Sequence, residues 1–412
     1  MEGHRKTTYP PRRENDMQKK NYRKTAVACY LGFVTQSIAA NFAPLLYLTF
    51  QKSYGIPLTQ IALISTTFFF TQLVTDLICA KVVEKIGYRP CVVASEVASV
   101  LGLVGLAFLP GIMPSPFAGV LISVIIYAVG SGLIEVLVSP IIEACPFEHK
   151  EAVMSMTHSF YCWGCVAVIV LSTLFFRIFG IKYWPILACA WALIPLVNTF
   201  LFAVCPIEHT VEEGKGMTIS ALLHRPLFWL LVVLMVCAGA SELGMAQWAS
   251  AFTERALGVD KAVGDLLGPC MFAVLMGICR TFYGKFGHKI NMTRFMAASG
   301  ALCVVCYVLA GLSKSAVPGL IGCALCGFSV GIMWPGSISI ASRSLPGGGT
   351  AMFALLALAG DLGGSTAPSI IGFVSERASG SLQSGILAGA IFPLLLMATL
   401  LILNRKKERE GK

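Results

Sequence analysis

Charge is scarce in this chain. Only 13% of its 412 residues are Asp, Glu, Lys or Arg, while 56% are hydrophobic and the mean hydropathy is +0.76. Soluble domains carry about 25% charged residues, so no water-solvated surface can be assembled from this composition, and lipid must be the solvent. Also missing are a glycine loop with an adjacent Lys-Ser or Lys-Thr to cradle phosphate, a metalloprotease helix motif and a serine nucleophile elbow. The connections between apolar stretches are too short for a soluble catalytic domain. Together these absences exclude an ATPase, a receptor kinase and an intramembrane hydrolase, so no enzyme activity, catalytic residue or cofactor is expected. The first 24 residues lack the short apolar core and small-residue cleavage site of a signal peptide. Residues 1 to 20 are expected to be disordered, and Met17, followed by Gln18-Lys19-Lys20, is an alternative start to Met1.

Cysteine is plentiful, with fifteen residues. The Cys162/Cys165, Cys303/Cys306 and Cys323/Cys326 pairs have the two-residue gap of metal or redox motifs. Each pair lies in an apolar stretch without the His or carboxylates to complete a zinc shell. They read as small apolar packing residues, and no metal is expected.

What the chain does have is about twelve apolar stretches near the roughly 20 residues a helix needs to cross a bilayer. They begin near Thr25, Leu58, Cys91, Phe117, Val153, Tyr183, Pro226, Val263, Thr293, Ala316, Thr350 and Ser384. Open strands would leave amides unpaired in hydrocarbon, so these are helices. With both tails inside, about 24 of the 31 Lys and Arg residues fall on one side, which places both termini in the cytoplasm. The net charge of +10 then reflects topology and anionic headgroups, and no nucleic-acid partner is expected.

Glu84-Lys85-Ile86-Gly87-Tyr88-Arg89 returns as Gly284-Lys285-Phe286-Gly287-His288-Lys289, both times after an apolar stretch. The same offset lays Cys145-Pro146 on Leu345-Pro346 and Gly164 on the glycines of Gly363-Gly364. The chain is therefore a duplication: a basic tail over 1–24, a six-helix bundle over 25–205, a linker over 206–225, a second six-helix bundle over 226–403 and a basic tail over 404–412. Ile219 to Leu223 reads as a short interfacial helix before Pro226 opens span seven.

Two six-helix halves with a repeated basic turn resemble the major facilitator superfamily, which implies an all-α polytopic fold of two pseudo-symmetric bundles. In that family the turn after span two reads Gly-x-x-x-Asp-Arg-x-Gly-Arg-Arg or close to it, matched here by Ala80 to Arg89 with Glu84 for Asp and Lys85 for Arg. The resemblance implies that Glu84, Lys85, Arg89, Lys285 and Lys289 gate one face. The alternative reading is that Lys85, Arg89, Lys285 and Lys289 are simply topology-setting charges. The second copy has Gly284 where the carboxylate would stand, so the first copy is expected to be the stronger latch. Gly132-Leu133-Ile134-Glu135-Val136-Leu137-Val138-Ser139-Pro140, then His158-Ser159-Phe160-Tyr161-Cys162-Trp163-Gly164, resemble the fucose-permease branch of sugar carriers. Ala240-Ser241-Glu242 with Gln247-Trp248 is similar to that branch's span seven. Its span-one Asp is absent from Ala39-Ala40-Asn41-Phe42-Ala43-Pro44.

Glu135 lies about nine residues from the end of span four, which at 1.5 Å per residue is near mid-bilayer. A carboxyl there can hold a proton and release it when water or a partner arrives, and the resemblance implies a proton-coupling role. His158 reads as a proton relay, a hydroxyl ligand or a neutral ring in a polar niche. Tyr161 and Trp163 offer a hydroxyl and an indole on different faces of one turn. Glu242, Gln247 and Trp248 form a sugar grip on a glycine-rich helix, with Trp334 a similar candidate in span ten. Asp361, near the midplane of span eleven, is a second coupling carboxyl or the partner of Arg280 in a gating pair, and the pair is the favoured reading. Asp76, Lys81 and Glu96 read as a structural network around the basic turn. Gln36 and Asn41 are expected to reach solute, and Gln72 another helix.

The expected activity is symport of a small polar solute, a sugar, with protons across the cell membrane by alternating access, with sodium left open as coupling ion. The alternative is proton-driven efflux of amphipathic compounds. Partners are the solute, protons and the bilayer, and the chain is expected to act as a monomer.

Overall fold

A computed structural model describes residues 21–208, 216–249, 252, 258, 266–313, 315–379 and 381–410. The expected tail up to residue 20, the linker charges Glu212, Glu213 and Lys215, and the expected start of span eight at Val263 lie outside them. Among the described residues, twelve helices are long and apolar enough to cross a membrane. In chain order, spans one to twelve are Tyr22–Leu46, Thr66–Ile86, Tyr88–Ile112, Pro116–Ala144, Lys150–Phe179, Ile181–Val204, Pro226–Ala246, Leu267–Lys289, Met292–Leu312, Val317–Ser344, Gly349–Arg377 and Leu382–Arg405. Their boundaries follow local chemistry. Pro226 opens span seven, where a missing N–H costs nothing, and Ser115, Asn291 and Ser381 each accept a backbone N–H at a helix start.

The exterior is apolar. Ile112 is 74% and Val204 72% exposed, a surface that only hydrocarbon can solvate. Polar groups are instead turned inward. Glu96 is buried and accepts from Thr35 Oγ1 at 3.0 Å and Asn198 Nδ2 at 2.7 Å, joining spans one, three and six. This corrects the expected network, because Glu96 faces span six while Asp76 is buried elsewhere and Lys81 is exposed. The residues shared a depth but not a helix face. In the second bundle, Cys303 and Cys326 lie 3.9 Å apart between spans nine and ten, buried with Cys306 and Cys323.

One end of the molecule carries the described parts of the linker, 206–208 and 216–225, and there the two bundles touch. The Ile219–Leu223 helix is present, with Thr218 Oγ1 accepting from Ala221 N at 3.2 Å. Beside it, Met217 N donates to Gly347 O at 3.0 Å. The two basic turns differ in backbone. Gly87 has φ +93°, a left-handed geometry that favours glycine, whereas Gly287 is helical and opens a single 3₁₀ turn.

Candidate functional site

Midway along the bundles lies a cavity of about 140 Å³ lined by residues of spans one, two, four, five, seven, eight, ten and eleven. Glu135 projects into it from span four. Its Oε2 accepts from Gln36 Nε2 of span one at 2.8 Å and from Gln72 Nε2 of span two. Gln72 is itself held by Ser131 Oγ, which donates to its Oε1 at 3.2 Å. Two amide donors fix the Glu135 carboxyl in one orientation, while neither of them carries a charge that would trap it as a carboxylate.

Across the cavity, Arg280 is buried and almost fully occupied. Its Nη2 lies 3.0 Å from Glu242 Oε2, its Nε donates to Gly331 O at 2.9 Å, and its Nη1 reaches His158 O and Cys162 Sγ, both at 3.3 Å. Gly331 can accept because span ten is broken there, between the helices Ala316–Val330 and Met333–Ser344. The expected Arg280–Asp361 pair is therefore corrected. Glu242 takes the guanidinium, and Asp361 instead lies beside Gln72 and Asp76. Spans seven and eleven come close beside these carboxyls, where a Cβ on Gly239 would meet the Gly360 backbone.

Eight of the sequence-derived positions line the cavity: Gln36, Glu135, His158, Tyr161, Glu242, Arg280, Trp334 and Asp361. His158 stacks near Phe33 with ring centroids 4.6 Å apart, and its Nε2 lies 3.3 Å from Ser139 Oγ. The other four proposed solute ligands lie elsewhere. Asn41 binds Ser37 O at 2.9 Å and Cys165 Sγ at 3.2 Å. Trp163 donates to Thr281 Oγ1 at 3.0 Å, Trp248 donates to Pro368 O at 2.9 Å, and Gln247 is exposed. Trp163 is two residues from Tyr161, about 200° around the helix, so the two cannot share a cavity. Sequence reasoning left out Phe33, Phe68, Phe69 and Gln72 from the lining. Gln72 had a signal, since it lies four residues before Asp76 and on the same face of span two.

At the linker end, Glu84 Oε1 accepts the backbone N–H of Thr350, at the start of span eleven, at 3.0 Å. Thr350 Oγ1 also donates to Tyr88 OH at 2.8 Å. In the counterpart contacts the second bundle again supplies the donors. Tyr283 OH donates to Glu151 Oε2 at the start of span five at 3.2 Å, and Arg343 pairs with Glu151. Arg89 works within its own bundle, with Nη1 donating to Phe202 O at 2.9 Å and Nη2 to Cys205 O at 2.8 Å at the end of span six. Lys85, Lys285 and Lys289 are exposed.

Known structures share this architecture. The E. coli fucose:proton symporter FucP, in a variant form, superposes with TM-score 0.80 at 16% identity, covering 93% of this chain and 99% of that one. The proton:xylose symporter XylE gives 0.74 at 11% identity, with 93% and 95% covered. The human organic anion transporter MFSD10 gives 0.73 at 17% identity, with 93% and 100% covered. Identities this low carry the fold alone. No curated protein sequence matches the chain. The sequence does match the Major Facilitator Superfamily over residues 28–368, and the chain belongs to that superfamily of multi-pass membrane transporters.

Proposed function

We propose that the protein imports a small, uncharged polar solute, a sugar or similar polyol, in symport with protons, by rocking its two bundles around the midplane cavity. The observation that carries the reading is Glu135, a midplane carboxyl held by the neutral amides of Gln36 and Gln72 at the wall of a cavity shared by both bundles. Such a group can be neutral or ionised as its surroundings change, which is the property proton coupling requires.

The solute class follows from charge and size. Arg280 is offset by Glu242, which leaves Glu135 and Asp361 as surplus acidity in the lining. An organic anion or a phosphate ester would meet repulsion there. Tyr161 and Trp334 supply an aromatic face and hydroxyl of the kind that holds a sugar ring. A cavity of about 140 Å³ lies below the roughly 300–1,000 Å³ of drug-sized pockets. The contacts at the linker end seal the side that the positive-inside bias assigns to the cytoplasm, with both termini there and the cell membrane as the location. Each chain contains both halves of its cavity, so function as a monomer follows. The two bundles are taken as 25–205 and 226–403, joined by the 206–225 linker.

A second reading has one observation in its favour. Phe33, Phe68 and Phe69 beside acidic groups would also suit a cationic amphipath leaving the cell in exchange for protons. Uptake of a panel of labelled monosaccharides and polyols into proteoliposomes, under an imposed proton or sodium gradient, separates the readings. Proton-driven accumulation of a neutral solute supports symport. Acid-driven efflux of a cationic dye, with no sugar movement, overturns it.

A further inference from the structure

Asp76 is fully buried, and among the described residues neither of its carboxyl oxygens has a hydroxyl, amide or cationic donor. What it meets is the carboxyl of Asp361, across the boundary between spans two and eleven and so between the two bundles. An ionised carboxylate only accepts hydrogen bonds, so two carboxyls in contact bond only when one of them carries a proton. Two adjacent negative charges in a buried site would repel. We propose that Asp76 and Asp361 share a single proton and that this proton is a removable clasp between the bundles.

The surroundings of the pair are acidic or neutral on every side that packs against it. Span four contributes Glu135, span eleven Asp361 itself and span two Gln72 and Cys79. The nearest buried cation, Arg280, is engaged by Glu242, and among the described residues no Lys, Arg or His forms an ion pair with either aspartate. Among the described residues no cationic side chain is therefore available to bind one carboxyl to the other, and a shared proton fills that role. Gln72 ties the clasp to the solute site, since its amide donates to Glu135 and also contacts Asp361. With its proton, the pair carries one negative charge and one hydrogen bond. When the proton leaves to water, the O–H bond breaks, two negative charges remain and the bond between the bundles is lost. Proton release thereby favours separation of spans two and eleven, and Gln72 carries the change to Glu135. The clasp rests on the alternating-access reading for its consequence, because it acts by holding the bundles together.

The test needs no solute. Infrared titration of the purified full-length protein follows the carbonyl band of protonated carboxyls as pH is raised, in wild type, D76N, D361N and E135Q. The clasp predicts one band, worth one proton and separate from those of Glu135 and the other buried carboxyls, that is lost on raising pH, missing from both D76N and D361N, and retained in E135Q. Survival of that same band in either asparagine variant, or two bands that vanish one per variant, would overturn it. Each asparagine keeps a donor for the remaining carboxylate, and the two variants are independent, so misfolding of one leaves the other as the test. Transport separates the two readings. The predicted band without proton-driven uptake sinks symport alone, and proton-driven uptake without the band sinks the clasp alone.

Discussion

Arg280 and Glu242 form an ion pair of 3.0 Å inside the second bundle, and the same guanidinium ties span eight to the broken turn of span ten and to span five. Replacing Arg280 with Met leaves a buried carboxylate and two carbonyls without their donor. Loss of one partner of a buried pair costs about 3–5 kcal/mol. Glu242→Gln keeps an acceptor for the guanidinium and should cost less, about 1–2 kcal/mol. Denaturation in detergent reads both values, and equal losses for the two variants would contradict the central position of Arg280.

The bond from Thr350 N to Glu84 joins a carboxylate to a helix start, where the macrodipole favours negative charge. Glu84→Ala should weaken closure of the linker end by about 1.5–3 kcal/mol. Buried thiols at that end, such as Cys145, should then be alkylated faster, by roughly tenfold or more on that scale, as read by mass spectrometry. Lys85→Ala and Lys285→Ala remove exposed charges and should leave the rate near wild type.

Spans seven and eleven approach at Gly239 and Gly360. Gly239→Val places a side chain against the Gly360 backbone and should destabilise the protein by about 1–3 kcal/mol through overpacking. Gly360→Ala pushes instead into the Trp334 indole at the cavity wall. Its expected effect is weaker solute binding with less loss of stability, measured by counterflow and thermal unfolding side by side.

The helices were legible because lipid demands long apolar runs, and the duplication because the basic turn recurs with its glycine. Glu135, Glu242 and Asp361 were legible as cavity residues because carboxyls are costly in a membrane interior. Partner choice was not legible. Arg280 binds Glu242 because the break in span ten offers the Gly331 carbonyl beside it, and nothing in sequence spacing gives the rotation of span eight against span seven. Asn41 was placed on the right helix but faces span five, and Trp248, in the turn just past the end of span seven, bonds span eleven. Asp76 was assigned by depth, whereas its face, shared with Gln72, decides what it meets.

The central claim is that Glu135 couples solute movement to protons. Its most direct test compares native protein with Glu135→Gln in proteoliposomes, measuring accumulation under an inward proton gradient and counterflow exchange without one, for a solute the native protein accumulates. The account predicts that the variant loses gradient-driven accumulation and retains exchange, since the glutamine amide fills the cavity but cannot release a proton. Accumulation at the native level in the variant would contradict it.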